Sequence, residues 1–435
     1  MTTIAVLSDL HIAPPGPLAS FHAGAELAGL LGRLRAKHDV DTLLLAGDIV
    51  DLLALPDSTA TLDPATIPAR LTDLFHEIGD TPWGAQVLGA LGDLATAGVR
   101  VVVLPGNHDP ELAHPEAMSI LRKACGLDSD DRRIASHLGP GPWRHHCGPL
   151  EVVVGHGHRG DPWNDIDPAQ VLHRSTTNPP LVMELPLGSR LVVGAMRAFR
   201  KTHAFVDALK PETPAVPLLL LYLDPVLAMQ HLPGVANLSV RALVGGLKRR
   251  LVHGPTLGAA SHQAAAPTDA DRLSDALFDA LAPEERTEAT VSAIEDWLRG
   301  HTAPGSGTLA THGGAKFLLR AALRLLSGAG SFFDPTHLSD DDQAIVREHL
   351  PAGGGPRVVI AGHTHAARRV QLAHGDYINT GTWTDLIPWP SPASDADAKA
   401  FIDQLDAGQV RPLRRLTWAL VDESGARLVT EPTET

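Results

Sequence analysis

Five short apolar runs along the chain each stop at a cluster of polar residues. Ile4 to Leu7 ends at Ser8-Asp9-Leu10-His11, Leu43 to Ala46 at Gly47-Asp48-Ile49-Val50-Asp51, and Val101 to Leu104 at Pro105-Gly106-Asn107-His108-Asp109. Val152 to Val154 ends at Gly155-His156-Gly157-His158, and Val358 to Ala361 at Gly362-His363-Thr364-His365. Aliphatic runs this short, bounded by turn-forming residues, predict buried strands. Between the early runs, Leu27, Leu30, Leu31 and Leu34 share one helical face, and Val87, Leu88, Leu91 and Leu94 share another. Strands alternating with helices predict an α/β layered core, in which reactive groups gather in loops beyond the carboxyl ends of the strands. Every polar cluster named above falls in such a place. Farther on, Asp376 to Trp383 reads as a strand ending in a Gly turn, and Leu416–Val421 and Ala426–Val429 as a closing hairpin.

From 165 to 356 the pattern changes to helix-leaning, Pro-punctuated sequence without strands that end in ligand-type residues. This predicts three segments: a first core part at 1–164, an inserted helix-rich cap or subdomain at 165–356, and a second core part at 357–435. The insertion begins basic, with ten Lys and Arg against six Asp and Glu over 165–250, and continues acidic, with seven against fourteen over 251–350. Lys316, Arg320 and Arg324 recur every four residues beside Phe317, Leu318, Ala321, Leu325 and Leu326, the pattern of an amphipathic helix. A solvated face over a packed one is the first reading; a basic lid over an anionic substrate, or a peripheral membrane contact, is the second. Ala-Gly-Gly-Gly at 352–355 reads as the exit hinge.

Composition narrows the class. A 44 % hydrophobic share with 20 % charged residues excludes general disorder. A net charge of −14 argues against a nucleic-acid binder, which needs clustered Lys and Arg, and 4 % aromatics gives base stacking little support. Cys125 and Cys147 are the only cysteines, so a disulfide framework is excluded and a reducing compartment fits. The first residues run straight into a strand pattern rather than a basic and then apolar leader. The most apolar stretch, Pro217 to Leu223, is far shorter than the roughly 20 residues of a spanning helix. The expectation is a soluble, cytoplasmic protein.

The polar clusters carry the chemistry. Asp9, His11, Asp48, Asn107, His156, His363 and His365 supply carboxylate, amide oxygen and imidazole. That mixture suits borderline divalent ions, Mn²⁺ foremost and Fe²⁺, Zn²⁺ or a mixed pair besides, rather than a thiolate site. Seven donors exceed what one catalytic ion takes and suit two ions sharing a carboxylate. Such a pair clamps a phosphate and lowers the pKa of a bound water.

Asp9-Leu10-His11, Gly47-Asp48-Ile49-Val50-Asp51, Gly106-Asn107-His108-Asp109, His156 and Gly362-His363-Thr364-His365 together resemble the calcineurin-like metallophosphoesterase superfamily, in the family's order, over residues 1–164 and 357–435. The resemblance implies a four-layer α/β/β/α sandwich with two metal ions at the strand ends. It implies that Asp9, His11 and His365 bind the first ion, that Asn107, His156 and His363 bind the second, and that Asp48 bridges them. A metal-bridging hydroxide would attack phosphorus. His108 would contact the phosphate and protonate the leaving group, with Asp51 orienting it. His156 to Asn164 and the later Asn379-Thr380-Gly381-Thr382-Trp383 are similar to a bacterial branch that includes UDP-diacylglucosamine hydrolases. His108 stands where those hydrolases typically carry Arg, which favours general phosphoester chemistry. The functional expectation is hydrolysis of a phosphate ester or pyrophosphate bond in a phosphorylated small-molecule or lipid-like substrate. The alternatives are a non-catalytic scaffold and a nuclease acting within a complex. His158 and Arg159 stand beside the ligand cluster as neighbours facing substrate or solvent.

Overall fold

The computed structural model describes residues 2–16, 18–37, 39–139, 141–210, 215–236, 240–253, 268–302, 313–327, 334–350, 356–387 and 394–432. The apolar runs become strands. β1 (Ile4–Leu7), β2 (Thr42–Ala46), β3 (Thr61–Leu62), β4 (Arg100–Leu104), β5 (Ile134–Ser136), β6 (Trp143–Cys147) and β7 (Leu150–Val154) come from the first part of the chain. β8 (Met183–Glu184), β9 (Arg357–Ala361), β10 (Arg368–Leu372), β11 (Gly375–Asn379), β12 (Thr417–Asp422) and β13 (Gly425–Thr430) follow. The strand expected at Asp376–Trp383 ends at Asn379, and the remainder turns away as a loop.

Two sheets hold the core. One has the order β13-β12-β1-β2-β4-β5, the other β10-β11-β9-β7-β6, and β3 pairs with β8 as a separate two-stranded ribbon. β1, β2, β4 and β5 run parallel, with Leu7 opposite Leu45 and Ala46 opposite Leu104, so their carboxyl ends are level. β7, β9 and β11 are likewise parallel, Val154 standing opposite Ile360 and Ala361 opposite Asn379. Level ends bring the polar clusters of each sheet together.

Strand alternation decides the layers. Ile4, Val6, Leu44, Ala46, Val102 and Leu104 of the first sheet pack with Val152, Val154, Val358, Ile360 and Ile378 of the second in one buried cluster. The sheets therefore lie face to face. The alternate residues of the second sheet, Val153, Val359, Ala361 and Tyr377, pack on Ile345 of the helix Asp340–His349 and on Leu350, which caps it. Outside the first sheet lie α1 (Gly24–Lys37), α2 (Ile67–Gly79) and α3 (Pro82–Thr96), which bury Leu27, Leu30, Leu31, Leu34, Leu71, Leu88 and Leu91. This is the α/β/β/α sandwich. α3 starts as its sequence dictates: Pro82 occupies the first turn, and the Thr81 hydroxyl accepts from Gly84 N at 3.0 Å.

The chain divides into two compact units. One comprises residues 1–189, 331–386 and 412–435, and the other 190–330 and 387–411. The second unit is helical among its described residues. Its Ala215–Leu223 helix is apolar almost throughout and buries Val216, Leu218, Leu219, Leu220 and Leu221. In the Gly313–Ser327 helix, Leu318, Leu319, Ala321 and Ala322 are buried and Lys316 is exposed. Arg320 and Arg324 both pair with Glu285, at 3.2 and 2.5 Å, so the expected amphipathic helix is built with two of its cations already matched inside the unit. The hinge expected at 352–355 lies outside the described residues. Cys125 and Cys147 are free and buried, and burial pushes the Cys125 thiol up to about 12, as befits an inert packing group.

Glu111, directly after the Gly106–Asp109 cluster, is 3 % exposed, and one of its oxygens meets Arg70 Nη1 at 3.3 Å. Burial pushes its carboxyl up to about 7 against the pull of Arg70. Between the ordinary glutamate value and about 7, the folded chain keeps a proton that the unfolded chain has lost. Stability through this group therefore falls as pH rises across that interval. Thermal melts from pH 4.5 to 8 should show Glu111→Gln with a flatter profile than the parent; an unchanged slope would mean that this carboxyl is not the buried acid described.

Candidate metal centre

Backbone conformation singles out the site before any side chain is considered. Among the described residues, five non-glycine residues have positive φ: Asp9 (51°), His11 (50°), Asp48 (52°), His363 (67°) and His365 (60°). All five belong to the polar clusters at strand ends. Left-handed backbone costs a residue with a side chain on the order of 1–3 kcal/mol, a cost that Asp, Asn and His tolerate best. The rest of the fold holds them there. Beyond β1 and β2 the two loops keep pairing, with Asp9 N donating to Gly47 O at 3.0 Å and His11 N to Asp48 O at 2.9 Å. Asp109 gathers the next loop in. Its carboxylate accepts from Gly106 N at 2.6 Å and Ile49 N at 2.7 Å, and from Asp48 N and Val50 N at 3.3 Å.

The second sheet's loops are tied to the first in the same way. Both Asp9 oxygens accept from His363 N at 3.0 Å, and Asp9 O accepts from Trp383 N at 3.0 Å and the Thr382 hydroxyl at 2.9 Å. Gly362 N donates to His156 O at 2.8 Å. Two glycines are required by close approach. A Cβ on Gly106 would overlap the Asp48 carboxylate and backbone nitrogen, and one on Gly362 would overlap the Asp9 carboxylate and the Ser8 hydroxyl.

The donor atoms converge. Ligand atoms of Asp9, His11 and His365 lie within 4.8 Å of one another, as do those of Asp9, Asp48 and His156, and those of His11, Asp51 and His108. His365 Nε2 is 3.1 Å from His11 Nε2 and 3.3 Å from Asp9 Oδ1. His156 Nε2 is 3.1 Å from Asn107 Oδ1 and 3.2 Å from Asp48 Oδ2, while its Nδ1 meets Ala46 O at 3.0 Å. A ring nitrogen that faces a carbonyl carries the proton, so the His156 nitrogen left with a lone pair is Nε2. His363 sits beside His156, ring centres 5.4 Å apart, with its Nε2 2.9 Å from Asp161 Oδ2. His108 Nδ1 meets Asp51 Oδ1 at 3.2 Å, and His11 Nδ1 lies 3.6 Å from Asp51 Oδ2. Asp9, Asp48, His11, Asn107 and His156 are all buried.

So much buried anionic charge perturbs titration. Burial pushes Asp48 up, but His156, His108 and His11 outweigh it and hold the carboxyl well below the usual range. Burial would lower His156, yet Asp48 and Asp9 push it up to about 9. Asp51 follows Asp48, with His108 and His11 outweighing its burial. Asp109 goes the other way, raised to about 6 by burial and the Asp48 charge. These are groups that ask for positive charge. The donor set, carboxylates and imidazoles with an amide oxygen beside a shared aspartate, fits divalent ions chemically and by its convergence.

Residues 2–185 match the family model described as calcineurin-like phosphoesterase. A solved structure of a dimetal phosphatase from Danio rerio is similar at 12 % identity, covering 99 % of each chain, with a TM-score of 0.26. The comparison with curated proteins finds no match. Among the described residues, no helix is long and apolar enough to cross a membrane.

The fold thus brings Asp9, His11, Asp48, Asn107, His156, His363, His365, His108 and Asp51 into one cluster. It also assigns places to neighbours that sequence reasoning had left without one. Asp109 is the knot that joins the β2 and β4 loops; its place at the end of Gly-Asn-His-Asp was the available signal. Asp161 pairs with His363 across 202 residues, which no local spacing reveals. His158 does not face substrate. It is 2 % exposed, its Nε2 meets Ile166 O at 2.9 Å, and burial beside two other imidazoles lowers it to about 3. Arg159 is half exposed and pairs with Asp165 at 2.9 Å.

Because a Cβ at residue 106 displaces the Asp48 carboxylate, Gly106→Ala should leave a folded chain that binds Mn²⁺ at least 10-fold more weakly by titration calorimetry. Wild-type affinity in that variant would show that Asp48 is not confined as described.

Proposed function

We propose that the chain is a two-metal phosphoesterase. In this reading Asp9, His11 and His365 hold one ion, Asn107, His156 and His363 hold the other, and Asp48 bridges the two. The observation that carries it is the convergence of these seven donors on the level ends of five strands, five of the donors on strained backbone, with His108 at their edge. When bound, two divalent ions supply Lewis-acid charge for a phosphate and make water nucleophilic near neutral pH. Manganese is our first choice of metal, on the mixed oxygen and nitrogen donors.

The protein's own groups do the rest. Asp51 accepts a hydrogen bond from the Nδ1–H of His108, which fixes the ring and leaves Nε2 for the substrate. Asp51 stays ionised through the neutral range, since the neighbouring imidazoles hold it low, and so favours the imidazolium form of His108. As water adds to phosphorus and the ester P–O bond breaks, the departing oxygen takes the His108 Nε2 proton, giving an alcohol and phosphate. The same charge stabilises the phosphoryl oxygens as the transition state forms. We take the substrate to be a phosphorylated small molecule or lipid-like ester in the cytoplasm rather than a nucleic acid. With His108 in place of the arginine of UDP-diacylglucosamine hydrolases, general phosphoester chemistry is the reading we favour over that branch.

Steady-state hydrolysis of p-nitrophenyl phosphate and bis-p-nitrophenyl phosphate tests it. Turnover should require Mn²⁺, vanish with chelator, and fall at least 100-fold in Asp48→Asn. His108→Ala should lose about 10²–10⁴-fold in kcat while keeping its metal. Turnover that survives chelation, or an Asp48→Asn variant as fast as the parent, would overturn the proposal.

A further inference from the structure

His156 and His363 are the two imidazoles assigned to the second ion, and each has one ring nitrogen engaged by the protein. For His156 the partner is a backbone carbonyl, Ala46 O at 3.0 Å from Nδ1. For His363 it is a side chain, Asp161 Oδ2 at 2.9 Å from Nε2. A neutral imidazole has one N–H and one lone pair, so a carboxylate that accepts a hydrogen bond from Nε2–H leaves Nδ1 as the lone-pair ligand atom of His363. The carboxylate is itself fixed. Its Oδ1 accepts from Trp163 N at 2.8 Å and its Oδ2 from Asn164 Nδ2 at 2.7 Å. Asn164 in turn packs on Gly188, where a Cβ would overlap its amide oxygen. His158 anchors the loop from inside through Ile166 O, at 2.9 Å. The Asp161 side chain is only 11 % exposed, so the pair is largely shielded from competing water.

We propose that Asp161 is the positioning residue of the second metal site: through Nε2 of His363 it sets that ring's tautomer and orientation, so one loop supplies both a direct ligand, His156, and the anchor of another. The proposal rests on the reading of His363 as a ligand. His363 sits at a φ of 67°, and a strained residue on a loop needs its ring held from outside. Among the described residues, Asp161 is the carboxylate paired with it. Removing the outer partner of a metal-ligating histidine typically costs 10–100-fold in metal affinity.

The test is Mn²⁺ titration of the full chain by calorimetry, with electron paramagnetic resonance at two equivalents of metal. Wild type should take up two ions and give an exchange-coupled Mn²⁺ pair. Asp161→Ala should bind the first ion as wild type does and the second 10–100-fold more weakly, its spectrum turning to that of isolated Mn²⁺. Asp161→Asn, which keeps a carbonyl oxygen able to accept from Nε2, should fall between the two. If Asp161→Ala does not fold, the Asn variant carries the test with the same direction. Two wild-type-like ions and a coupled spectrum in the variants would overturn the role of Asp161 while leaving the two-metal reading intact. A wild-type chain that binds fewer than two ions would instead overturn the reading beneath it.

Discussion

Asp9, Asp48, Asp51 and Asp109 are buried together at the carboxyl ends of β1, β2 and β4. A buried carboxylate is costly unless N–H groups or positive charge meet it. The fold answers each of the four differently. Asp109 is met by four backbone N–H groups, and Asp51 by two imidazoles. Asp9 is met by the His363 amide, and Asp48 by the His108 amide at 2.9 Å and His156. Asp9 and Asp48, the two carboxylates central to the donor cluster, have histidines as their positive partners, His365 for Asp9 and His156 for Asp48. Asp48 and Asp9 in turn push His156 up to about 9, and divalent ions would meet the same charge. The same buried charge fits the site for divalent ions.

The sandwich makes that arrangement mechanically possible. Two sheets sharing an apolar core place parallel strand ends at one level, and stiff ladders behind them absorb the strain of left-handed Asp and His residues. The helix Asp340–His349 contributes from behind. Asp342, fully buried, accepts from Tyr377 Oη at 2.6 Å and pairs with buried Arg368 at 3.2 Å. Asn379 Nδ2 then donates to Gly362 O at 2.8 Å and meets Thr364 Oγ1 at 3.0 Å. The loop carrying His363 and His365 is thus held from both sides, by Asp9 in front and by this network behind.

The strands and the ligand clusters were legible in sequence because both are local signals. A run such as Leu43–Ala46 followed by Gly-Asp needs no partner to be recognised, and the five clusters share one order and one position relative to strands. What was not legible depends on distance. The Asp161–His363 pair, the Asp342–Arg368–Tyr377 network and the end of β11 at Asn379 are set by packing between segments far apart in the chain. His158 was misplaced for the same reason, since its burial is decided by Ile166 and the neighbouring histidines rather than by its own loop. The left-handed backbone of five residues at three strand ends has no composition signal either, because Asp and His tolerate that region without announcing it.

The most direct measurement is the anomalous scattering of Mn²⁺ in crystals of the full chain. The account predicts two peaks about 3.5–4 Å apart on either side of the Asp48 carboxylate. A single peak remote from Asp48, or density at the cluster explained by protons and water alone, would contradict it.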